Sequence, residues 1–225
     1  ASDGDTITLG EGKFTTVGNT SPKKSLTFVG AGTNTVWTIG DLDKDVGGEG
    51  NGDYSFEGCD TITFKNMTLK VDNKNYRGFI RINNTVVENC TLEGRTAYWG
   101  YETAKFVNAT FNAPEGDYAL WDYSTKDMSF DGCTFNISGK GVHVYVEQPS
   151  TDARTIAVNN CKVESTKENK AFLLFAKRVE IRTHGDRHGV NVERVPTRET
   201  VNAAGDDHKA RVLIIALSGE DARHL

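Results

Sequence analysis

No stretch of this chain is apolar for long enough to cross a membrane as a helix. The longest such run, VLIIAL from Val212, has only the length of a strand. Positive charge is in deficit: 26 Lys and Arg against 31 Asp and Glu leave a formal net charge of -5. That balance gives no electrostatic footprint for nucleic acid, and an anionic membrane repels it weakly. No CxxC pair occurs, and Cys59, Cys90, Cys133 and Cys161 stand 31, 43 and 28 residues apart, which fits no zinc pattern. Two disulfides of a secreted protein are the other reading of those cysteines. Proline is scarce, 4 residues against 23 glycines, while Asn and Thr are abundant. This composition suits a β-rich fold with many tight turns. No segment between Thr6 and Phe175 sustains the i, i+3, i+4, i+7 apolar spacing of a helix. The first residue is Ala rather than Met, which reads as a mature or excised fragment whose targeting signal has been removed.

What the chain does contain is a phrase repeated with variations. VVENCTLEG from Val86, KFVNATFNA from Lys105, SFDGCTFNIS from Ser129 and AVNNCKVES from Ala157 share one frame, and FKNMTLKV joins them from Phe64. Aligned on Asn66, Asn89, Asn108, Gly132 and Asn160, the copies are 23, 19, 24 and 28 residues apart. A period in this range marks a solenoid. Within each copy the apolar residues alternate with period two and break at Asn, Gly or Asp, the signature of short strands joined by turns. Strands that recur in this way with no helix between them build a parallel β-helix, one rung per coil. The reading is all-β: a right-handed single-stranded parallel β-helix over residues 1–176, closed by a C-terminal capping segment.

The aligned positions then have physical reasons. Asn tolerates the left-handed backbone of a tight turn, and stacked Asn amides bond from coil to coil. Gly132 is the other residue type that accepts that backbone. The next column, Met67, Cys90, Ala109, Cys133 and Cys161, is small and apolar, as an inward stack requires. Three cysteines are thus core fillers with free thiols. Cys133 and Cys161 fall on adjacent rungs, within reach of a bridge, although stacked side chains point in parallel.

A second strand recurs between the phrases: RGFIRIN, TAYWGY, DYALWDY, GVHVYVE and KAFLLFA. Its aromatic and cationic residues, Tyr76, Phe79, Arg81, Tyr98, Trp99, Tyr101, Tyr118, Trp121, Tyr123, His143 and Tyr145, recur at matching places. Alternation sends half inward as ordinary core. The outward half would form an aromatic ladder able to stack on sugar rings or anchor a protein. Phe79, Arg81, Trp99, Tyr101, Tyr118, Trp121, Tyr123, His143 and Tyr145 are therefore the candidate ligand contacts. The competing reading is that stacked aromatics only stabilise a sheet face.

The opening phrases DGDTITLGEGKF and KSLTFVG resemble the start of pectin-lyase-like right-handed β-helix proteins. The later TITFKNMTLKV and VVENCTLEG phrases resemble surface β-helix modules of gut bacteria. The likeness covers residues 1 to about 176. It implies the fold and says almost nothing of activity, since the class mixes lyases, hydrolases, tailspikes and adhesins. Lyases of the class use clustered aspartates with calcium plus an Arg or Lys base; hydrolases use paired aspartates in Asn-Thr-Asp and Gly-His-Gly phrases, which are absent here. Asp117 and Asp122 share a strand with Glu102 one coil away, so a carboxylate pair stays open, with Arg81 the cation on that face.

Past Ala176 the composition shifts. Residues 1–176 hold 13 Lys and 4 Arg, residues 177–225 hold 2 Lys and 7 Arg, and four of the five histidines lie in the later part. The segment 177–225 reads as a cap or as a segment of separate origin. His184 and His188, flanked by glycine with Asp186 between them, read as a turn rather than a metal site. Gly30-Ala31-Gly32 reads as a turn, not a nucleotide loop. Asp41, Asp43, Asp45, Glu49 and Asp53 form an acidic loop that lacks the Gly and terminal Glu of an EF-hand. A loose surface calcium site there is the one cofactor in view; no other is expected. The expected role is a non-catalytic, adhesin-like binding module of a bacterial cell-surface or secreted protein. It would be extracellular and monomeric, a piece of a larger protein, with a host surface protein or glycan as partner and no nucleic acid or membrane insertion. A polysaccharide lyase or hydrolase is the second reading, and a passive stalk the third.

Overall fold

A computed structural model describes residues 1–16, 21–39, 56–71, 78–115, 118–122, 125–138, 140–144, 154–165, 172–176, 179–184 and 211–215. At residues 16, 78–81, 97, 99, 140, 143–144, 154–155 and 163–165, and throughout the last three segments, the backbone alone is described. Every regular element among these residues is a strand. The sheets are parallel apart from one antiparallel pair, and they stack as a β-solenoid.

Each coil begins with a strand of sheet 1. These are β1 (Thr6–Leu9), β3 (Leu26–Gly30), β5 (Thr61–Lys65), the end of β7 (Gly78–Glu88) and the end of β9 (Thr96–Val107), then β12 (Asp127–Asp131), β15 (Arg154–Asn159) and β18 (Val179–His184). A two-residue corner, four residues between β3 and β4, leads into sheet 2. Its strands are β2 (Gly12–Thr16), β4 (Thr35–Ile39), β6 (Thr68–Lys70), β8 (Thr91–Glu93), β10 (Thr110–Ala113), β13 (Thr134–Ile137) and β16 (Lys162–Ser165). Period-two alternation puts one apolar column of each sheet inside. In sheet 1 the column runs Ile7, Phe28, Phe64, Val87, Phe106, Phe130, Val158. In sheet 2 it runs Phe14, Trp37, Leu69, Leu92, Phe111, Phe135, with the backbone of Val163 next in register. Register turns sequence repetition into ring stacking. Phe106 lies on Phe130 at 5.1 Å and 9°, and Phe111 on Phe135 at 4.6 Å and 3°. The two columns meet edge to face, Phe106 with Phe111 at 5.2 Å. Each fully buried Phe contributes roughly 1.5–3 kcal/mol of transfer free energy, so the columns dominate the stability of the solenoid.

The corner between the sheets follows the expected rule. Asn66, Asn89, Asn108 and Asn160 have φ of 55°, 53°, 49° and 51°, and Gly132, in the same place, has 63°. One left-handed residue turns the chain while leaving its N–H free to pair with the next coil. Asn89 N–H donates to Val107 O at 2.9 Å and Asn108 N–H to Asp131 O at 2.8 Å. The amides form a second ladder outside: Asn89 Nδ2 donates to Asn66 Oδ1, and Asn108 Nδ2 to Asn89 Oδ1, both at 3.3 Å. Gly132 interrupts it, because Asn108 Oδ1 occupies the space its Cβ would need, at 2.5 Å. Behind the corner Met67, Cys90, Ala109, Cys133 and Cys161 are all buried, and the four cysteines are free thiols. Outside, Lys65 pairs with Glu88 at 2.7 Å and Lys70 with Glu93 at 3.6 Å, each linking adjacent coils.

One feature differs from the sequence reading. The phrases taken as separate strands are continuous in two coils: β7 and β9 run through as strands of 11 and 12 residues, so the second-strand face merges with sheet 1. Beyond Ala176, β18 pairs in parallel with β15 and extends sheet 1, while β17 (Phe172–Ala176) pairs antiparallel with β19 (Arg211–Ile215).

Candidate functional site

The face nominated as a ligand surface consists of the first halves of β7 and β9, then β11 (Tyr118–Asp122) and β14 (Lys140–Val144). Among its described residues, the register sets the aromatic positions in more than one column. Phe79 lies opposite Tyr98, but the next rung offers Asp122 and then Val144. Trp121 lies between Ala97 and His143, and Trp99 lies opposite Ile80. The β9–β11 and β11–β14 pairings are regular there, so the mismatch comes from the spacing of the aromatic residues themselves; farther along, the β7–β9 pairing is irregular, with register shifts between Ile80 and Ile82 and again between Ile82 and Asn84. A bulge of this kind moves side chains to the other face, so a period-two pattern cannot be carried through it.

Burial sorts the candidates further. Tyr118 is only 7% exposed and packs edge to face on Trp121 at 6.0 Å, so its ring belongs to the interior rather than to an outer ladder. Trp121 is half-buried. Tyr101 is 44% exposed, the one exposed large hydrophobic side chain among the described residues. Phe79, Arg81, Trp99 and His143 are placed on their strands by backbone alone, and Tyr123 and Tyr145 lie outside the described residues. So do Asp117, the acidic loop from Asp41 to Asp53, Asp186 and His188; His184 is the last backbone position of β18.

Tyr101 stands where β9 bends from the second-strand face into sheet 1, and Tyr98 shapes that bend. The Tyr98 ring is buried over Gly100, where a Cβ would come within 2.2 Å of Cε1, so only glycine fits. Tyr98 Oη donates to Thr103 O at 3.0 Å, bracing the two ends of the bend, and burial pushes its phenol above its ordinary range. The next coil supplies Lys126, whose Nζ lies 3.7 Å from Glu102 Oε2 beside Tyr101. Asp122, nominated for a carboxylate pair, is 1% exposed and accepts from Thr125 N–H at 3.3 Å and from Thr125 Oγ1. That bonding ties the end of β11 to Thr125 and commits the carboxylate to structure. Glu102, by contrast, is exposed. Sequence reasoning missed Lys126 as Glu102's partner; an opposite charge one coil later at the same rung position is the signal that finds it.

Among the described residues, no group of three or more His, Cys, Asp or Glu side chains converges as metal ligands, and no helix is long and apolar enough to cross a membrane. The turn after Gly30 closes with Thr35 N–H donating to Gly32 O at 2.9 Å and leads directly into β4. It is therefore a rung connection and not the strand-to-helix loop of a nucleotide site. The fold and corner define a parallel β-solenoid. No family model matches this chain, nor does any curated protein or solved structure.

Proposed function

We propose that this solenoid is a non-catalytic binding module of a bacterial surface or secreted protein, and that it holds a host glycan or protein at the bend of β9. The exposed Tyr101 ring carries the reading. It projects between two paired stretches of β9, one ending at Tyr98 and Gly100 and the other resuming at Thr103, which limits the backbone freedom lost when a ligand docks and favours affinity. A tyrosine in that setting stacks on a sugar ring or fills a protein pocket, and the Glu102–Lys126 pair beside it supplies donors and acceptors at the rim. Trp121, half-buried on the adjoining face, extends the contact. The pectin-lyase-like resemblance of the opening phrases is consistent with a fold that lays extended polymers across its rungs.

The test is an array of host glycans and matrix proteins probed with the wild-type chain and with Tyr101→Ala and Trp121→Ala. The expected outcome is a specific hit weakened at least tenfold by Tyr101→Ala, about 1.4 kcal/mol, with an unchanged melting temperature. A hit that Tyr101→Ala leaves intact refutes the site. Release of unsaturated uronides from acidic polysaccharide with calcium would replace the reading with a lyase, and an array without hits would leave the stalk.

A further inference from the structure

The column behind the asparagine corner sets two thiols on consecutive rungs. β13 and β16 pair with Thr134 opposite Lys162, and Lys162 N–H donates to Cys133 O at 2.8 Å. Cys133 and Cys161, each one residue earlier, are therefore neighbours across a single rung spacing of about 4.8 Å. That spacing lies within the roughly 4.4–6.8 Å between Cα atoms that a disulfide spans. Cys161 Sγ bonds to Asn159 O at 3.2 Å, and Cys133 Sγ to Phe106 O of the coil before at 3.5 Å and to Asp131 O at 3.6 Å. Cys90 has no such neighbour, since Ala109 fills the rung between it and Cys133. Cys59 lies outside the column, with its Sγ 3.6 Å from Ser21 Oγ.

We propose that Cys133 and Cys161 are a redox-active dithiol that closes into a disulfide by exchange with a small-molecule disulfide of the glutathione class, tying together the last two described rungs of sheet 2, while Cys59 and Cys90 stay reduced. Cys161 acts first. Among the described residues its strand has a sheet neighbour on one side only, so local opening there breaks the fewest contacts. The Cys161 thiolate attacks one sulfur of the reagent, forming a mixed disulfide and expelling one small thiolate. Cys133 loses its proton to that thiolate and attacks Cys161 Sγ, expelling the second. Two protein thiols and one reagent disulfide thus give one protein disulfide and two small thiols; the protein is oxidised by two electrons and the reagent reduced by two. The inference rests on the rungs alone and is independent of the proposed ligand.

The experiment incubates the folded full chain with oxidised glutathione and maps its peptides without reduction. The expected product is lighter by two hydrogens, carries one Cys133–Cys161 link, reverts with dithiothreitol, and melts roughly 5–10 °C higher. Cys133→Ala and Cys161→Ala each abolish the link and the shift; Cys90→Ala keeps both. Alanine already fills the column at Ala109, so these variants are expected to fold. A link that includes Cys59 or Cys90, a stable glutathione adduct on Cys161 of the wild type, or unchanged thiols after oxidation overturns the proposal.

Discussion

Replacing Asn89 separates the two things the corner asks of its residue. The backbone there has φ 53°, and the side chain donates to Asn66 Oδ1 and accepts from Asn108 Nδ2, each at 3.3 Å. Both bonds are exposed and long, so together they contribute about 1 kcal/mol. Asn89→Ala removes both and also forces a Cβ-bearing residue without Asn's local bonding into the left-handed region, at roughly 1–2 kcal/mol more. Asn89→Gly removes the same bonds but accepts the backbone; its cost adds about 0.5–1 kcal/mol of extra unfolded-state entropy. Alanine should thus cost ~2–3 kcal/mol and glycine ~1.5–2, a gap that urea titration of the two variants resolves. Asn112→Ala, a change on sheet 2 away from the corner column, serves as control and should stay within about 0.5 kcal/mol. If glycine destabilises as much as alanine or more, the left-handed geometry is not what fixes asparagine at the corner. If the variants melt in separate steps, the coils unfold independently and the single-transition arithmetic fails.

Alkaline pH should destabilise the fold through its buried acids. Burial pushes the Cys90 thiol from 9.0 up to about 11, so the folded state keeps a proton that the unfolded chain has already released. That contribution is complete below pH 9.0 and disappears as pH rises through about 11; buried Tyr98 acts in the same direction. Melting curves across this window should fall with pH, less steeply in Cys90→Ala, and equal slopes would contradict the assignment. Phe135→Ala opens the sheet 2 column beneath Phe111 and should cost about 3–5 kcal/mol by denaturant titration; a loss under about 1 kcal/mol would mean the rings do not carry the core. Lys65→Ala removes a half-buried surface pair and should cost under about 1 kcal/mol, so a larger effect would show that cross-coil charges matter more than their exposure indicates.

The sequence by itself determined the solenoid, the rung frame and the corner. A coil that stacks on copies of itself must repeat its chemistry at each rung. The left-handed turn narrows one position to Asn or Gly, and the confined column behind it to Met, Cys or Ala. Both constraints are local and recur, so they can be read without coordinates. Only the tertiary structure decided what the second-strand face presents. Its strands pass unbroken into sheet 1 through β7 and β9, with a bulge at Ile80–Asn84 and a bend at Gly100 that break the alternation. Tyr118 is buried and Tyr101, beside the β7–β9 irregularity, is exposed. Tyr101 could be nominated from its residue type alone, but its exposure and its Lys126–Glu102 neighbours depend on register between coils, a long-range property that no window of sequence contains.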